Sequence, residues 1–248
     1  MTTPIVKVLR ANAGSRDLRT VFTDFCEASA IAIRNRVDSH GFREREESYE
    51  RIRSQYSAAH MDRFAEALAL VAIEVTQNPR DVLGETYMQL GIADRDRGQF
   101  FTPYNVAQLI AEMQLADTPS PGATQPFLTI YGPACGAGAM VIAMTQALAR
   151  RGIDYRQRVH VTADDISLTA VHMSYVQLSL LDVPALVNRR NSLTLEHFDT
   201  WATPRHVLGN WAERLTPLQH PSTAAQAVSA CRDEPAPPTP LINVGGPR

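Results

Sequence analysis

Two glycines bracket a single alanine in Pro133-Ala134-Cys135-Gly136-Ala137-Gly138, directly after the apolar run FLTIY at 127–131. A turn this bare between a strand and a helix lets a ligand approach the main chain. The first amides of the following helix add donors and a partial positive charge, which suits a phosphate, a carboxylate or an adenosyl cofactor. No Gly-Lys-Ser/Thr follows, which argues against a triphosphate-binding P-loop. Of the dinucleotide pattern Gly-x-Gly-x-x-Gly, Gly136 and Gly138 supply the first two positions, but Val141 stands at the third. The next strand candidate, RVHVTA, ends in Asp164-Asp165. Asp165 lies further along than the usual ~20 residues, yet its carboxylate suits the two hydroxyls of a ribose. On these residues alone, a ligand turn and a tight packing turn are equally good readings.

Elements must hold that turn in place. Glu50 to Thr76 reads as one helix, with Met61, Phe64, Leu68, Val71 and Val75 on one face. Asn78-Pro79 ends it, and Asp81 caps a short helix, VLGETYMQL, closed by Gly91. After the polar turn ADRDRG, Thr102 is a natural N-cap with Pro103 at the first helical position. Val106, Leu109, Ile110 and Met113 give this helix an apolar face. DTPSPGATQP is a loop by composition. From Pro126 the pattern alternates: strand FLTIY, the glycine turn, helix AMVIAMTQALARR, strand RVHVTA, a helix from Ser167 to Leu181, and a weaker strand PALVNR. That order predicts an α/β fold with a parallel sheet and right-handed crossovers. Thr203-Pro204 opens a last helix, RHVLGNWAERL.

The chain has 248 residues, 44% of them hydrophobic, which is enough for one sizeable core. No apolar stretch has membrane-spanning length, and MTTPIVKVLR lacks a signal-peptide core. Cys26, Cys135 and Cys231 are scattered and odd in number, with no metal-ligand spacing. They predict a reduced, cytoplasmic protein. A formal net charge of -2 gives no global sign of nucleic-acid binding. Arg150, Arg151, Arg156 and Arg158 cluster, and a solvated face is the favoured reading over phosphate contact.

A wider pattern adds to this. GQFFTP at 98–103, PACGAG at 133–138, TADDIS at 162–167 and RNSL at 190–193 together strongly resemble the N6-adenine-specific DNA methyltransferases. The likeness is strongest to the modification subunits of type I restriction systems and their plasmid- and phage-borne relatives. It spans roughly Asp81 to Leu193. The resemblance implies a Rossmann-like fold, S-adenosylmethionine as cofactor and DNA as substrate. It also implies that Gln99, Phe101 and Thr102 lie against the methionine end of the cofactor. Pro133, Ala134, Cys135, Gly136 and Gly138 would form the cofactor turn, Asp165 would take the ribose, with Asp164 as the fallback or else a solvated strand-end charge, and Asn191 the adenine ring. The family's opening acid, which helps hold the cofactor's amino group, is Gly132 here. Cys135, with no histidine near it in sequence, reads as a packing residue rather than a nucleophile.

The family binds its target amine with Asn/Asp-Pro-Pro-Tyr/Phe after a fourth strand. No such tetrapeptide occurs after Leu193, and no catalytic residue can be assigned. HFDTW, ATPRH and APPTP do not fit, and no good fourth strand is apparent. The expectation is therefore an incomplete methyltransferase sheet at 96–215, a helical region at 1–95 and a disordered Pro-rich tail at 216–248. DNA recognition would need a partner, either a sequence-specificity subunit or another modification subunit.

Overall fold

The computed structural model describes residues 3–14, 16–92, 101–116 and 126–219. Gln99, the ADRDRG turn from Ala93 on, most of the DTPSPGATQP loop and the Pro-rich tail from 220 on lie outside the described residues. Residues 1–211 form one compact unit and 212–248 a second. The N-terminal elements are α1 Pro4–Ala13, α2 Leu18–Arg34, α3 Phe42–Arg53, α4 Ala58–Gln77 and α5 Val82–Leu90. Then come α6 Tyr104–Leu115, β1 Leu128–Gly132, α7 Ala139–Arg150, α8 Tyr155–Arg158, β2 Val159–Asp165, α9 Leu168–Leu180 and β3 Ala185–Arg190. The last are β4 His197–Ala202, α10 Pro204–Leu208 and α11 Trp211–Gln219.

The sheet order is β1-β2-β3-β4. β1 pairs parallel with β2 and β2 with β3, as the alternating order predicted. β4 corrects the all-parallel expectation: it runs antiparallel to β3, so the sheet is small and mixed. HFDTWA conceals this strand because only Trp201 of its six residues is buried. An outer strand with one anchored side chain carries no period-two apolar signal.

α9 sits at the centre of the unit. Every residue from Ala170 to Leu178 is buried, because α2, α4 and α5 pack on one side and β2 and β3 on the other. The single large core accordingly runs from Ile5 on α1 to Trp201 on β4. The Trp201 ring meets His172 at 4.8 Å and Tyr175 at 5.2 Å, with the Arg34 guanidinium 4.8 Å above it.

Three helix expectations change. The helix read over 50–76 is broken at Ser54–Ser57, where Ser57 caps α4 by accepting from the His60 amide and Tyr56 donates to Asp24 at 2.7 Å. A serine that caps competes with a continuous helix. α6 begins one residue late: Pro103 occupies the cap and Thr102 makes no capping bond. Its buried face is Ala107, Ala111 and Leu115, whereas Leu109 and Met113 are 62% and 69% exposed. Small side chains let α6 lie close along α7, so size overrides hydrophobicity in choosing the face. RHVLGNWAERL is two helices, parted at Gly209 and Asn210, the latter at φ 51°.

His172 is 1% exposed, and neither ring nitrogen has a hydrogen-bond partner. Burial, reinforced by Arg189, lowers its pKa from 6.5 to about 3. The unfolded chain therefore takes up a proton that the folded chain refuses, and stability from this group is lost as pH falls below 6.5. Denaturant titrations of His172→Phe and wild type should diverge in the variant's favour by ~1.4 kcal/mol per pH unit below 6.5. A difference that stays constant with pH would refute this.

Candidate functional site

The glycine turn is built by its neighbours. Gly136 and Gly138 have φ of 56° and 98°, a region that side chains disfavour. A Cβ on Gly136 would stand 3.0 Å from the Phe101 ring, and one on Gly138 would stand 2.8 Å from Ser174 Oγ. Both Cα faces are thus closed by protein. Gly138 N–H donates back to Cys135 O at 2.9 Å, and Cys135 N–H donates to Asp164 O at 2.9 Å, closing the turn onto β2. Phe101 is wedged in by Tyr87 of α5, ring to ring at 5.3 Å.

Asp165 reaches this turn directly. Gly136 N–H donates to its Oδ2 at 2.9 Å and Ser167 N–H to its Oδ1 at 2.9 Å. Each oxygen retains a second lone pair. Strand alternation turns Asp164 away. It is fully buried and accepts from Tyr131 Oη at 2.9 Å and Asn188 Nδ2 at 2.7 Å, with Arg190 at 3.6 Å. Asp164 is therefore neither a solvated charge nor a second ribose ligand, but the centre of a polar network across β1, β2 and β3. The Tyr131 hydroxyl is held on the neutral side, its pKa raised chiefly by the bond to Asp164.

Two cavities flank the turn. One, about 350 Å³, is lined by Phe101, Thr102, Gly132, Gly136, Met140 and Tyr131, among others. The other, about 550 Å³, is lined by Asp165, Ile166, Arg190, Asn191, Ser192 and Leu193. Pro133 and Ala134 belong to both. Ser192 Oγ bonds to Pro133 O and pins the β3–β4 loop to the turn. Asn191 Oδ1 accepts from the amides of Leu193 at 3.0 Å and Thr194 at 3.2 Å, so it shapes the loop and leaves Nδ2 as its remaining donor. Cys135 is buried, with its thiol raised to about 12 by desolvation and in contact with Ser174, which fits packing and not attack.

The structure thus brings Phe101, Thr102, Pro133, Ala134, Cys135, Gly136, Asp165 and Asn191 around one pair of adjoining cavities. Gly138 faces Ser174 instead. Sequence reasoning missed Tyr131, Ile166 and Leu193. The last two are 53% and 95% exposed and offer apolar surface at the mouth of the larger cavity. An apolar residue directly after the strand-end acid was the available signal for Ile166. The arginine cluster is engaged internally: Arg150 and Arg151 with Glu112, Arg156 with Asp182 and Arg158 with Pro126 O.

The N-6 DNA methylase family model matches residues 78–212, more than half of the chain. The chain belongs to this family. No curated protein and no solved structure matches it. Membership in the N-6 DNA methylases implies a methyltransferase fold, use of S-adenosylmethionine and action on DNA. The residues present fit such a cofactor: two cavities adjoin at Pro133 and Ala134, and the Asp165 carboxylate lines the second. Among the described residues, no helix is long and apolar enough to cross a membrane.

Gly138→Ala should destabilise the fold by about 1–3 kcal/mol, since a strained φ and the Ser174 contact act together. Urea unfolding of Gly138→Ala and of the double variant with Ser174→Gly measures both parts. Relief of some but not all of the loss in the double variant is the expected result.

Proposed function

We propose that this chain binds S-adenosylmethionine along the Phe101–Gly136–Asp165 line and acts in methyl transfer to adenine N6 in DNA. The observation that carries the reading is the Asp165 carboxylate bonded to the turn amide of Gly136 at 2.9 Å, with a cavity on either side. Asp165 would accept the ribose hydroxyls, Asn191 Nδ2 would donate to the adenine ring, and Ile166 and Leu193 would cover its faces. Phe101 and Thr102, with Gln99, would bound the methionine end. Bound cofactor supplies a sulfonium methyl. The chain's residues would hold it against the turn.

Transfer to an exocyclic amine also needs an extruded base and acceptors for the N6 hydrogens. The 248 residues contain no Asn/Asp-Pro-Pro-Tyr/Phe, and HFDTWA forms the antiparallel β4 instead. Two consequences follow. A partner chain, such as a specificity or second modification subunit, would supply recognition and the amine acceptors. Alternatively, the chain is a catalytically inactive cofactor-binding or decoy module acting on a restriction-modification system, which the missing tetrapeptide favours.

Calorimetric titration with S-adenosylmethionine tests the binding reading. Losing charged hydrogen bonds worth about 1.5–3 kcal/mol should weaken binding roughly ten- to hundredfold in Asp165→Ala. Gly132→Asp should tighten it, because a Cβ there meets Cys135 and Val141 only at 3.8 Å and restores an acid at the methionine end. Methyl transfer from labelled cofactor to adenine-containing duplex, with the chain alone and with co-encoded proteins, separates the two consequences. Binding with no transfer in either mixture selects the inactive module, and an absence of binding removes the proposal.

A further inference from the structure

Behind the glycine turn lies a buried polar linkage that the site just described does not use. Gln177, on α9, is 0% exposed. Its Nε2 donates to Ala137 O at 2.7 Å and to Asp81 Oδ1 at 2.9 Å, and its Oε1 accepts from Leu83 N–H at 3.0 Å. Both amide hydrogens and the amide oxygen are thus occupied. A flipped amide would set oxygen against a carboxylate and a carbonyl, so the orientation is fixed. Asp81 is 2% exposed and also accepts from Gly84 N–H at 2.8 Å as the N-cap of α5. The same three groups tie the start of α5, the middle of α9 and the residue between the two turn glycines.

We propose that Gln177, anchored by Asp81, is the positioning residue of the cofactor turn: it holds the Ala137 carbonyl inward, which fixes the peptide plane joining Ala137 to Gly138. This rests on the reading of that turn as the cofactor site. The geometry carries two independent reasons. Ala137 O takes a side-chain donor from α9, and that donor's amide is held by three bonds. Phe101, which closes Gly136, is itself packed by Tyr87 of α5, so displacement of α5 disturbs the turn from both sides.

The anchor is titratable. Burial raises Asp81 to about 6, opposed by the bonds from Gln177 and Gly84 and assisted by Glu85. Tyr104 on α6 feels the Asp81 charge, and the neighbouring Arg80 is engaged by Glu74 and by Glu85 at 3.1 Å. The raised value means that stability from this group is full below its ordinary 3.8 and lost as pH rises through about 6. The hydrogen bonds run the other way. An ionised acceptor grips Gln177 about twice as strongly as a neutral one. Turn rigidity should therefore increase with pH through that range while global stability from Asp81 declines.

Hydrogen exchange on the full chain tests this without any cofactor. Gln177→Met keeps the volume and removes all three bonds. It should speed exchange across residues 136–140 at least about tenfold beyond any change in the interior of β2, the scale set by one lost bond of ~1.4 kcal/mol. In wild type, exchange there, corrected for its intrinsic pH dependence, should slow from pH 5 to 7. Asp81→Asn keeps an acceptor but cannot titrate, and should flatten that profile. Wild-type protection of the turn in Gln177→Met, or the same pH profile in Asp81→Asn as in wild type, overturns the proposal. S-adenosylmethionine titration of Gln177→Met should show about tenfold weaker binding. If wild type itself does not bind the cofactor, the reading of the site fails, and the exchange result still decides whether Gln177 positions the turn.

Discussion

The enclosure of α9 on every side is the constraint from which the site is built. A helix with no solvent-facing stripe must satisfy its polar side chains internally or leave them bare. Ser174 answers by touching Cys135 and Gly138, Gln177 by reaching Ala137 and Asp81, and His172 by remaining neutral. Two of the three lie against the turn between β1 and α7. The turn's glycines follow from this packing: Gly138 has no room for a methyl because Ser174 is there. What first suggests a space left for a ligand is, at that position, a space filled by the protein.

The N-terminal helices are part of the same device. α2, α4 and α5 complete the enclosure of α9, and α5 carries both Tyr87, which backs Phe101, and Asp81 at its cap. Phe101 and the glycine turn, some thirty residues apart in sequence, meet because Phe101 fills the face that Gly136 leaves open. Their pairing in the sequence is a packing contact. This explains why the pair says more than either segment does alone.

Much of this was legible beforehand, and the failures have physical causes. The three parallel strands, the α5 and α9 boundaries and the proximity of Asp165 to the turn followed from period, caps and strand-end chemistry. The break between α3 and α4 was hidden because Tyr56 and Ile52 keep an apolar pattern through a serine-rich turn. The outward face of α6 was hidden because alanine, unremarked in a hydrophobic tally, packs closer than leucine. β4 was hidden because one tryptophan anchors it. Asp164 and Asp165 could not be separated by type, only by the alternation of a strand, which sends one into a buried network and the other to the turn.

The architecture also bears on what the chain can do by itself. Its polar network from Tyr131 through Asp164 and Asn188 continues to Thr200 on β4, whose hydroxyl donates to Asn188 Oδ1 at 2.7 Å. All four strands are therefore cross-linked on one face by side chains already engaged with one another. Acceptors for a target amine must come in pairs with free lone pairs aimed at one point. Asp164 is fully buried and bonded to Tyr131 and Asn188, and Asn191 Oδ1 accepts two amides of its own loop. If the turn takes the cofactor as proposed, Asp165 keeps lone pairs for it, whereas Asp164 and Asn188 on the sheet are engaged with one another.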